Sequence, residues 1–447
     1  MITALAVIIA SAIIALEGWL LTRLLWRDCS RSVAAALAYP AGLLLHTLLF
    51  FTLLVAGVGW TPLGGSIGHS ILLACLIVGR MVRRPHLPPA APADRPADET
   101  VRRSLSAVRI PFLVAILLPA AIGVGYALLF PTYYWDTFTN WHMRALQMAD
   151  AGRLIADGMA KPQYPILHHA TTLAHTLLTP WSDRAANAST LLISLTAGLG
   201  IAPLLRRRSG LTASLATLAV LLSLPLLSPH LRQGYAEIHV IAFSLLSALL
   251  LAWWRDTEDV GALRISALLV SAAAWTKLEG MHFALVPWLL IAAWIAWRDR
   301  AWRTVLPNAV LPTLLISAIW PAYVLANGLP LTPHGVHWEW HIDVLPQLLR
   351  MFTAAGSFGM HAFFLILLVT ALFLARSTKA LRTPAFLWGC ISLAFVTGTY
   401  LFTADASGLE TLVNAPRAFL LPASLLIVGL VPTAAQLVFD KAKNPSQ

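Results

Sequence analysis

The chain has little charge and almost no cysteine. Only 11% of its 447 residues are Asp, Glu, Lys or Arg, roughly half the share of a soluble globular domain. Its three cysteines, Cys29, Cys75 and Cys390, stand singly, which argues against a disulfide framework and offers no clustered thiolates for a metal. Glycine-rich phosphate loops of the GxxxxGK[ST] or GxGxxG kind are missing, so no nucleotide pocket is indicated. No internal repeat stands out, which weakens an inverted-repeat transporter architecture. The first apolar run has no basic residues behind it and no small-residue cleavage site after it. It is therefore expected to remain as a membrane span.

What the chain has in abundance is apolar length. It is 58% hydrophobic with a mean hydropathy of +0.74. Many stretches reach the roughly 18–20 residues that cross a hydrocarbon core, and because unpaired backbone groups are costly in lipid they are expected to be helices. The expected fold class is all-α, a polytopic transmembrane bundle of about 13 spans with short amphipathic helices in the first large extracytoplasmic loop. The spans lie near 3–25, 33–57, 64–80, 109–130, 187–205, 211–227, 235–254, 263–276, 281–297, 305–326, 349–375, 384–403 and 416–436. Residues 81–108, rich in Pro, Ala and charge, read as a flexible linker. It divides a three-helix segment, 1–80, from a core, 109–436, that ends in a short tail, 437–447.

The formal net charge of +11 does not indicate a nucleic-acid partner, because its distribution follows topology. All but eight of the 31 Lys and Arg fall in loops, with their flanks, on one side of these spans; "WRDCSR", "LLRRRSG" and "WRDRAWR" are examples. The positive-inside rule makes that side cytoplasmic. The eight exceptions are Arg144, Arg153, Lys161, Arg184, Arg232, Lys277, Arg350 and Arg417. They share the other side with ten of the twenty acids and with eleven of the fourteen histidines, which map there or near it.

Five stretches on that side stand out. In "YYWDTFTNWHMRA", helical spacing over 135–149 puts Trp135, Phe138, Trp141, His142 and Ala145 on one arc and Asp136, Thr139, Asn140 and Arg144 opposite. Such a helix would lie along the membrane surface, and Asp136 could serve only as a helix-start carboxylate. "KPQYPILHHATTLAHTLLTPW" carries Tyr164 and aligns His168, Thr172, His175 and Thr179 on one face; a polar stripe explains this better than a metal, since no carboxylate or Cys completes a ligand set. "HLRQGYAEIHV" brings Arg232, Tyr235, Glu237 and His239 to the end of a span, where ionisable groups face a cavity or a partner. "TKLEG" puts Lys277 and Glu279 in a tight hairpin, able to neutralise each other or to hold an anion. "NAPRAFLLPA" opens the last span with Arg417.

Two other features carry less. His334, His337, Glu339 and His341, with Trp338 and Trp340, have metal-like spacing, but such a segment can equally rest among headgroups, and no metal ligand set is assigned. Glu17 lies within a span and is expected to pair with another helix, without chemistry of its own.

Taken in order, "YWDTFTNWHMRA", "YP", "GYAEIHV", "TKLEG" and "NAPRAFLLPA" resemble the GT-C superfamily of membrane glycosyltransferases, which includes protein O-mannosyltransferases and aminoarabinose transferases, and in particular its uncharacterised bacterial members. The resemblance covers roughly residues 109–436. It implies an inverting transferase in the bacterial inner membrane, its site facing the periplasm or exterior, that moves a sugar from a polyprenyl-phosphate donor to an envelope acceptor of unspecified identity. Membrane lipids would be its surroundings. Asp136 would be the catalytic carboxylate at the acceptor, with Glu237 as second acid. Lys277 and Arg417, backed by Arg232, would hold the donor phosphate. Tyr134, Trp135, Asn140, Arg144, Tyr164, His168, His239 and Glu279 would line the cavity. No cofactor is fixed by the resemblance, since some members use a divalent cation such as Mg or Mn and others none. The double-acid motif of the mannosyltransferase branch is missing, because Thr137 follows Asp136; a protein acceptor therefore gains no support. The rival class is a transporter or flippase for a lipid-linked or small anionic substrate, with Glu17, Glu237 and Lys277 along its path, and a third is a non-catalytic envelope scaffold.

Overall fold

The structure, a computed structural model, describes residues 2–443 apart from 83–98, 133, 157, 225, 333–338, 354–359, 376–379 and 404–414. Helices dominate, and no β-strand element occurs among the described residues. In chain order they are α1 (Ile2–Leu25), α2 (Arg31–Val55), α3 (Pro62–Val82), α4 (Glu99–Leu129), α5 (Met143–Ala151), α6 (Leu167–Leu173), α7 (Asp183–Leu222), α8 (Leu227–Arg232), α9 (Glu237–Thr257), α10 (Val260–Ala274), α11 (Val286–Arg298), α12 (Trp302–Val305), α13 (Leu311–Ala326), α14 (Leu345–Thr353), α15 (Met360–Leu374), α16 (Pro384–Phe402), α17 (Ala415–Ala418) and α18 (Leu420–Lys443). Wider π-helical turns cover Thr137–His142, Gly280–Leu285 and Leu306–Val310.

Among the described residues, ten helical stretches are long and apolar enough to cross a membrane, and α10 and residues Phe363–Leu374 of α15 are shorter apolar helices. This is the make-up of a multi-pass membrane protein. The longest helix, α7, is not straight: Gly210 takes φ 79° and ψ 170°, a conformation open to glycine for want of a Cβ. Ser214 Oγ donates to the carbonyl of Ala202 at 3.0 Å, whereas a continuous helix would separate residues twelve apart by roughly 18 Å. The two arms therefore fold against each other about the "RRRSG" turn.

Caps follow local sequence. Ser182 Oγ accepts from the Ala185 N–H at the start of α7, Asp259 Oδ1 from Gly261 N–H at α10, and Thr383 Oγ1 from Phe386 N–H at α16, where Pro384 fills the first turn. Each satisfies an amide that the helix leaves unpaired. The linker is shorter than the sequence suggests, because α4 already begins at Glu99. Its five prolines, Pro85 to Pro96, all precede that point, so nothing in the following residues blocks a helix until Pro111.

The three leading helices, read from sequence as a segment apart, share one core with the remainder. Trp26 packs edge-on against Trp253 of α9, and its indole N–H donates to Asp259. Phe51 meets Trp275. Helices α1 and α2 approach closely, so that a Cβ on Gly18 would run into the Ala38 carbonyl and one on Gly42 into the Ile14 carbonyl. Small residues let the two backbones touch, as in membrane helix pairs generally. Beside this crossing Glu17 is fully buried, 2.6 Å from His69 Nδ1 of α3, so its pairing with another helix is realised.

The crossing predicts that Gly18→Leu lowers stability by roughly 1–3 kcal/mol or more, the range of core overpacking. The loss is read as a drop in the thermal unfolding midpoint of detergent-purified protein. Gly125→Ala, where a Cβ meets nothing within 4 Å, should leave that midpoint nearly unchanged.

Candidate functional site

Four remote stretches meet at one end of the bundle. Asp136 precedes the first π-helical turn, Glu237 opens α9, Lys277 and Glu279 occupy the turn after α10, and Arg417 lies in α17. Arg417 Nη2 donates to Asp136 Oδ2 at 2.7 Å and to Glu237 Oε1 at 2.6 Å, while its Nε reaches the same Glu237 oxygen at 3.2 Å. Lys277 Nζ donates to Glu237 Oε1 at 3.0 Å and lies 2.8 Å from Glu279 Oε1. The result is one continuous chain, Asp136–Arg417–Glu237–Lys277–Glu279, of three carboxylates and two cations.

The chain is mostly out of solvent. Side-chain exposure is 11–12% at Lys277 and Glu237, 18% at Arg417 and 26% at Asp136, rising to 37% at Glu279. Pairing in such a place offsets desolvation that would be severe for any member alone. Burial of the Lys277 ammonium opposes its charge, yet Glu237 and Glu279 outweigh it and raise the pKa above the usual lysine value. Aromatic faces complete the setting: the Arg417 guanidinium sits 4.5 Å over the Tyr235 ring and Lys277 Nζ lies 5.9 Å from the Trp141 ring centre, both suited to cation–π attraction. Tyr134 is 6.3 Å from Tyr235, ring to ring.

Satisfaction of the two acids differs. Glu237 directs all its contacts through Oε1, while Oε2 is buried without a partner among the described residues. Asp136 uses both oxygens, Oδ1 accepting from the Asn140 side-chain N–H. It makes no cap bond to backbone amides, so it is not merely a helix-start carboxylate.

The single amphipathic helix expected over 135–149 is not what forms. A π-helical turn over Thr137–His142 breaks the 3.6-residue period, and later residues rotate relative to the expected arcs. Trp141 and His142, expected at the membrane interface, are instead buried at 2% and 1% exposure. Arg144, expected on the polar arc, is also buried and donates through Nη2 to the Tyr164 carbonyl at 3.2 Å. Burial pushes its pKa down to about 9. Trp135, expected to line the cavity, is 80% exposed.

Below the chain lies a layer of histidines. His168 Nδ1 is 3.3 Å from His239 Nδ1, and His168 packs against Trp141 with ring centres 5.1 Å apart. His169 Nε2 donates to the Asn140 carbonyl at 3.3 Å. The face proposed for His168, Thr172, His175 and Thr179 does not form one wall, because α6 ends at Leu173 and a tighter 3-10 turn over Ala174–Leu177 takes His175 toward Trp181. Burial holds His168 and His169 well below the ordinary histidine pKa and brings His142 and His175 down to about 4. Tyr164 has its pKa raised, first by the Glu279 charge and then by burial.

The Arg232 guanidinium lies 5.4 Å over the Tyr126 ring. In the loop before α14, His341 Nε2 lies 3.4 Å from Glu339 Oε2, while His334, His337 and Trp338 lie outside the described residues. No group of three His, Cys, Asp or Glu suited to a metal ion occurs among the described residues; the cation between Asp136 and Glu237 is the Arg417 guanidinium. Tyr235 and Trp141 were the unassigned members of the site. Their position beside "AE" and within "NWH" was visible in the sequence, but nothing there marked them as platforms for cations.

Removing one member of the ionic chain strands the others. Arg417→Ala and Glu237→Ala are each expected to cost roughly 3–5 kcal/mol, and the double variant clearly less than the sum; a double-mutant cycle on unfolding free energies checks this. The neutral histidines give a second expectation. Folded, they resist protonation; unfolded, they take up protons near the ordinary value of 6.5. The stability they contribute is thus complete above about pH 6.5 and lost as pH falls through about 4, and unfolding midpoints measured from pH 7 downward should fall less in a His142→Gln, His175→Gln variant. Comparison of the chain with protein-family models, with curated proteins and with solved structures finds no match, so the reading of this site rests on its own geometry.

Proposed function

We propose that the protein is an inverting glycosyltransferase of GT-C type, transferring a sugar from a polyprenyl-phosphate donor to an extracytoplasmic acceptor. The observation that carries this is the ionic chain itself: the candidate acids Asp136 and Glu237, the candidate phosphate-binding residues Arg417 and Lys277 and the candidate cavity residue Glu279, from four remote stretches, form one chain whose successive contacts are 3.2 Å or shorter. Counting α7 as two passes about Gly210 and adding α10 and α15 takes ten spans to thirteen. With the basic loops inside the cytoplasm, the chain would face the periplasm or exterior of a bacterial inner membrane.

The proposed mechanism is a single displacement. The acceptor hydroxyl attacks the anomeric carbon, its proton passes to Asp136, the bond from that carbon to the phosphate oxygen breaks, and the polyprenyl phosphate leaves with the electron pair. A general base must lie within hydrogen-bond reach of its proton, and Asp136 is the most exposed of the two carboxylates that Arg417 bridges. The leaving phosphate gains charge, which fixed cations stabilise more in the transition state than in the ground state. An ammonium has three N–H donors and a guanidinium five. Protein contacts take two directions on Lys277 and use Nε and Nη2 of Arg417, leaving donors on both for an anion. Glu237 Oε2, with no protein partner among the described residues, is suited to orient a sugar or acceptor hydroxyl. Arg232 is the reserve cation; were a divalent cation such as Mg or Mn to bind, Asp136 and Glu237 would be the carboxylates to hold it and it would supply positive charge for the leaving phosphate.

A second reading, a transporter or flippase, is favoured by one observation: the fully buried Glu17 and its histidine partner lie inside spanning helices, far along the chain from the ionic cluster. Incubating purified protein with a panel of labelled polyprenyl-phosphate sugars separates the two. Sugar transfer with release of polyprenyl phosphate is expected; flux across vesicles without bond cleavage would replace the transferase with a transporter. Asp136→Asn is expected to lower turnover roughly hundred- to ten-thousand-fold, the range of a general base, with folded protein retained. Lys277→Ala should weaken use of the donor, and an unchanged dependence on donor concentration and maximal rate would remove it from the phosphate site.

A further inference from the structure

Three hydrogen bonds join α1, α3, α2 and α6 in a line. Glu17 Oε1 is 2.6 Å from His69 Nδ1, His69 Nε2 is 3.2 Å from His46 Nδ1, and His46 Nε2 is 3.0 Å from the Ala170 carbonyl. All three side chains are buried, with residue exposures of 0%, 5% and 0% for Glu17, His69 and His46.

Each of these bonds needs one proton. A carbonyl oxygen only accepts, so His46 Nε2 carries a hydrogen. One further proton must lie between His46 Nδ1 and His69 Nε2, and one more between His69 Nδ1 and Glu17. Three bonds thus require three protons, whereas an ionised carboxylate with two neutral imidazoles supplies two. We propose that Glu17, His69 and His46 form a proton-binding site that holds one additional proton within the membrane-spanning part of the protein, independent of the transferase reading. The proton can rest on Glu17, on His69 or on His46, and in each placement the trio has no net charge.

Two observations support the assignment. Glu17 Oε2 is buried without a partner among the described residues; an uncompensated carboxylate there would be costly, and the third proton removes the charge. A cavity of about 160 Å³, lined by His46, His69, Ser66, Ser70 and apolar residues, runs alongside the two rings and is large enough to hold water beside them. The other ionisable groups on the packed elements are engaged elsewhere or remote. Arg23 donates to the Cys29 carbonyl, Arg80 lies over Trp19, Tyr39 donates to Ser189, and Cys75 is exposed. His168, His169 and His175 turn to His239, Asn140 and Ser182. On α7 and α10, Asp183 accepts from Trp181, Arg208 pairs with Asp256, Arg207 covers Trp253 and Arg264 donates to Asn308.

Glu17→Gln provides the test, because a glutamine amide donates to His69 Nδ1 and completes the line with two neutral imidazoles. Above about pH 6.5 the unfolded chain has released the extra proton, while the folded chain keeps it. Stability must therefore fall as pH rises, and the folded-to-unfolded ratio of the wild type should drop tenfold per pH unit relative to E17Q until the site itself empties. Reversible unfolding in mixed detergent micelles at several pH values reads this difference, and parallel curves for the two proteins overturn the proposal. If E17Q does not fold, wild-type protein suffices. Nitrogen NMR of the labelled histidines, with infrared absorption of the carboxyl groups, should find either a protonated Glu17 or an imidazolium at neutral pH. An ionised Glu17 beside two neutral imidazoles overturns it equally.

Discussion

One guanidinium sets the architecture at the end of the bundle. Arg417 holds Asp136 and Glu237 through the same Nη2 atom, bringing together two carboxylates that would repel each other and each lose hydration on approach. Its guanidinium is planar and delocalised, presents separate N–H donors to the two acids, and sits 4.5 Å over the Tyr235 ring. Through Glu237 the same contact reaches Lys277 and Glu279. The first π-helical turn, the start of α9, the turn after α10 and α17 are thereby tied together by charge.

The polar interior has two levels, which meet at α6. Its backbone accepts from His46 at Ala170, and its His169 donates to the Asn140 carbonyl one turn from Asp136. Every residue of this short helix is buried. It lies between the leading three helices and the segment that carries the candidate base, and its two hydrogen bonds connect those helices to the site.

Much of the site was legible because ionisable residues at the ends of apolar runs are conspicuous in so uncharged a chain. Asp136, Glu237, Lys277, Glu279 and Arg417 were chosen on that ground, and the chain of contacts joins all five. The break in α7 was equally open to reading, since "RRRSG" interrupts hydrophobic sequence. Burial of Trp141, His142 and Arg144 was not, because it follows from a π-helical turn that no spacing rule anticipates. His46 and His69 escaped notice for another reason. A lone histidine in an apolar helix has no periodicity, and its meaning lies in a partner on a different helix. The Gly18–Gly42 contact is similar: two glycines become informative only once α1 and α2 are seen to cross.

The wide turns on either side of the ionic chain have a consequence of their own. One follows Asp136 directly and the other follows Glu279 directly, and a π-helical turn is in effect an α-helix carrying an inserted residue. Loop length here is part of the chemistry: the count of residues, as much as their identity, aims each acid at its cation. A lineage that trimmed a single position from either turn while keeping every charged side chain would rewind the helix, swing the carboxylate around its axis and leave a chain with all the right letters and a dismantled centre.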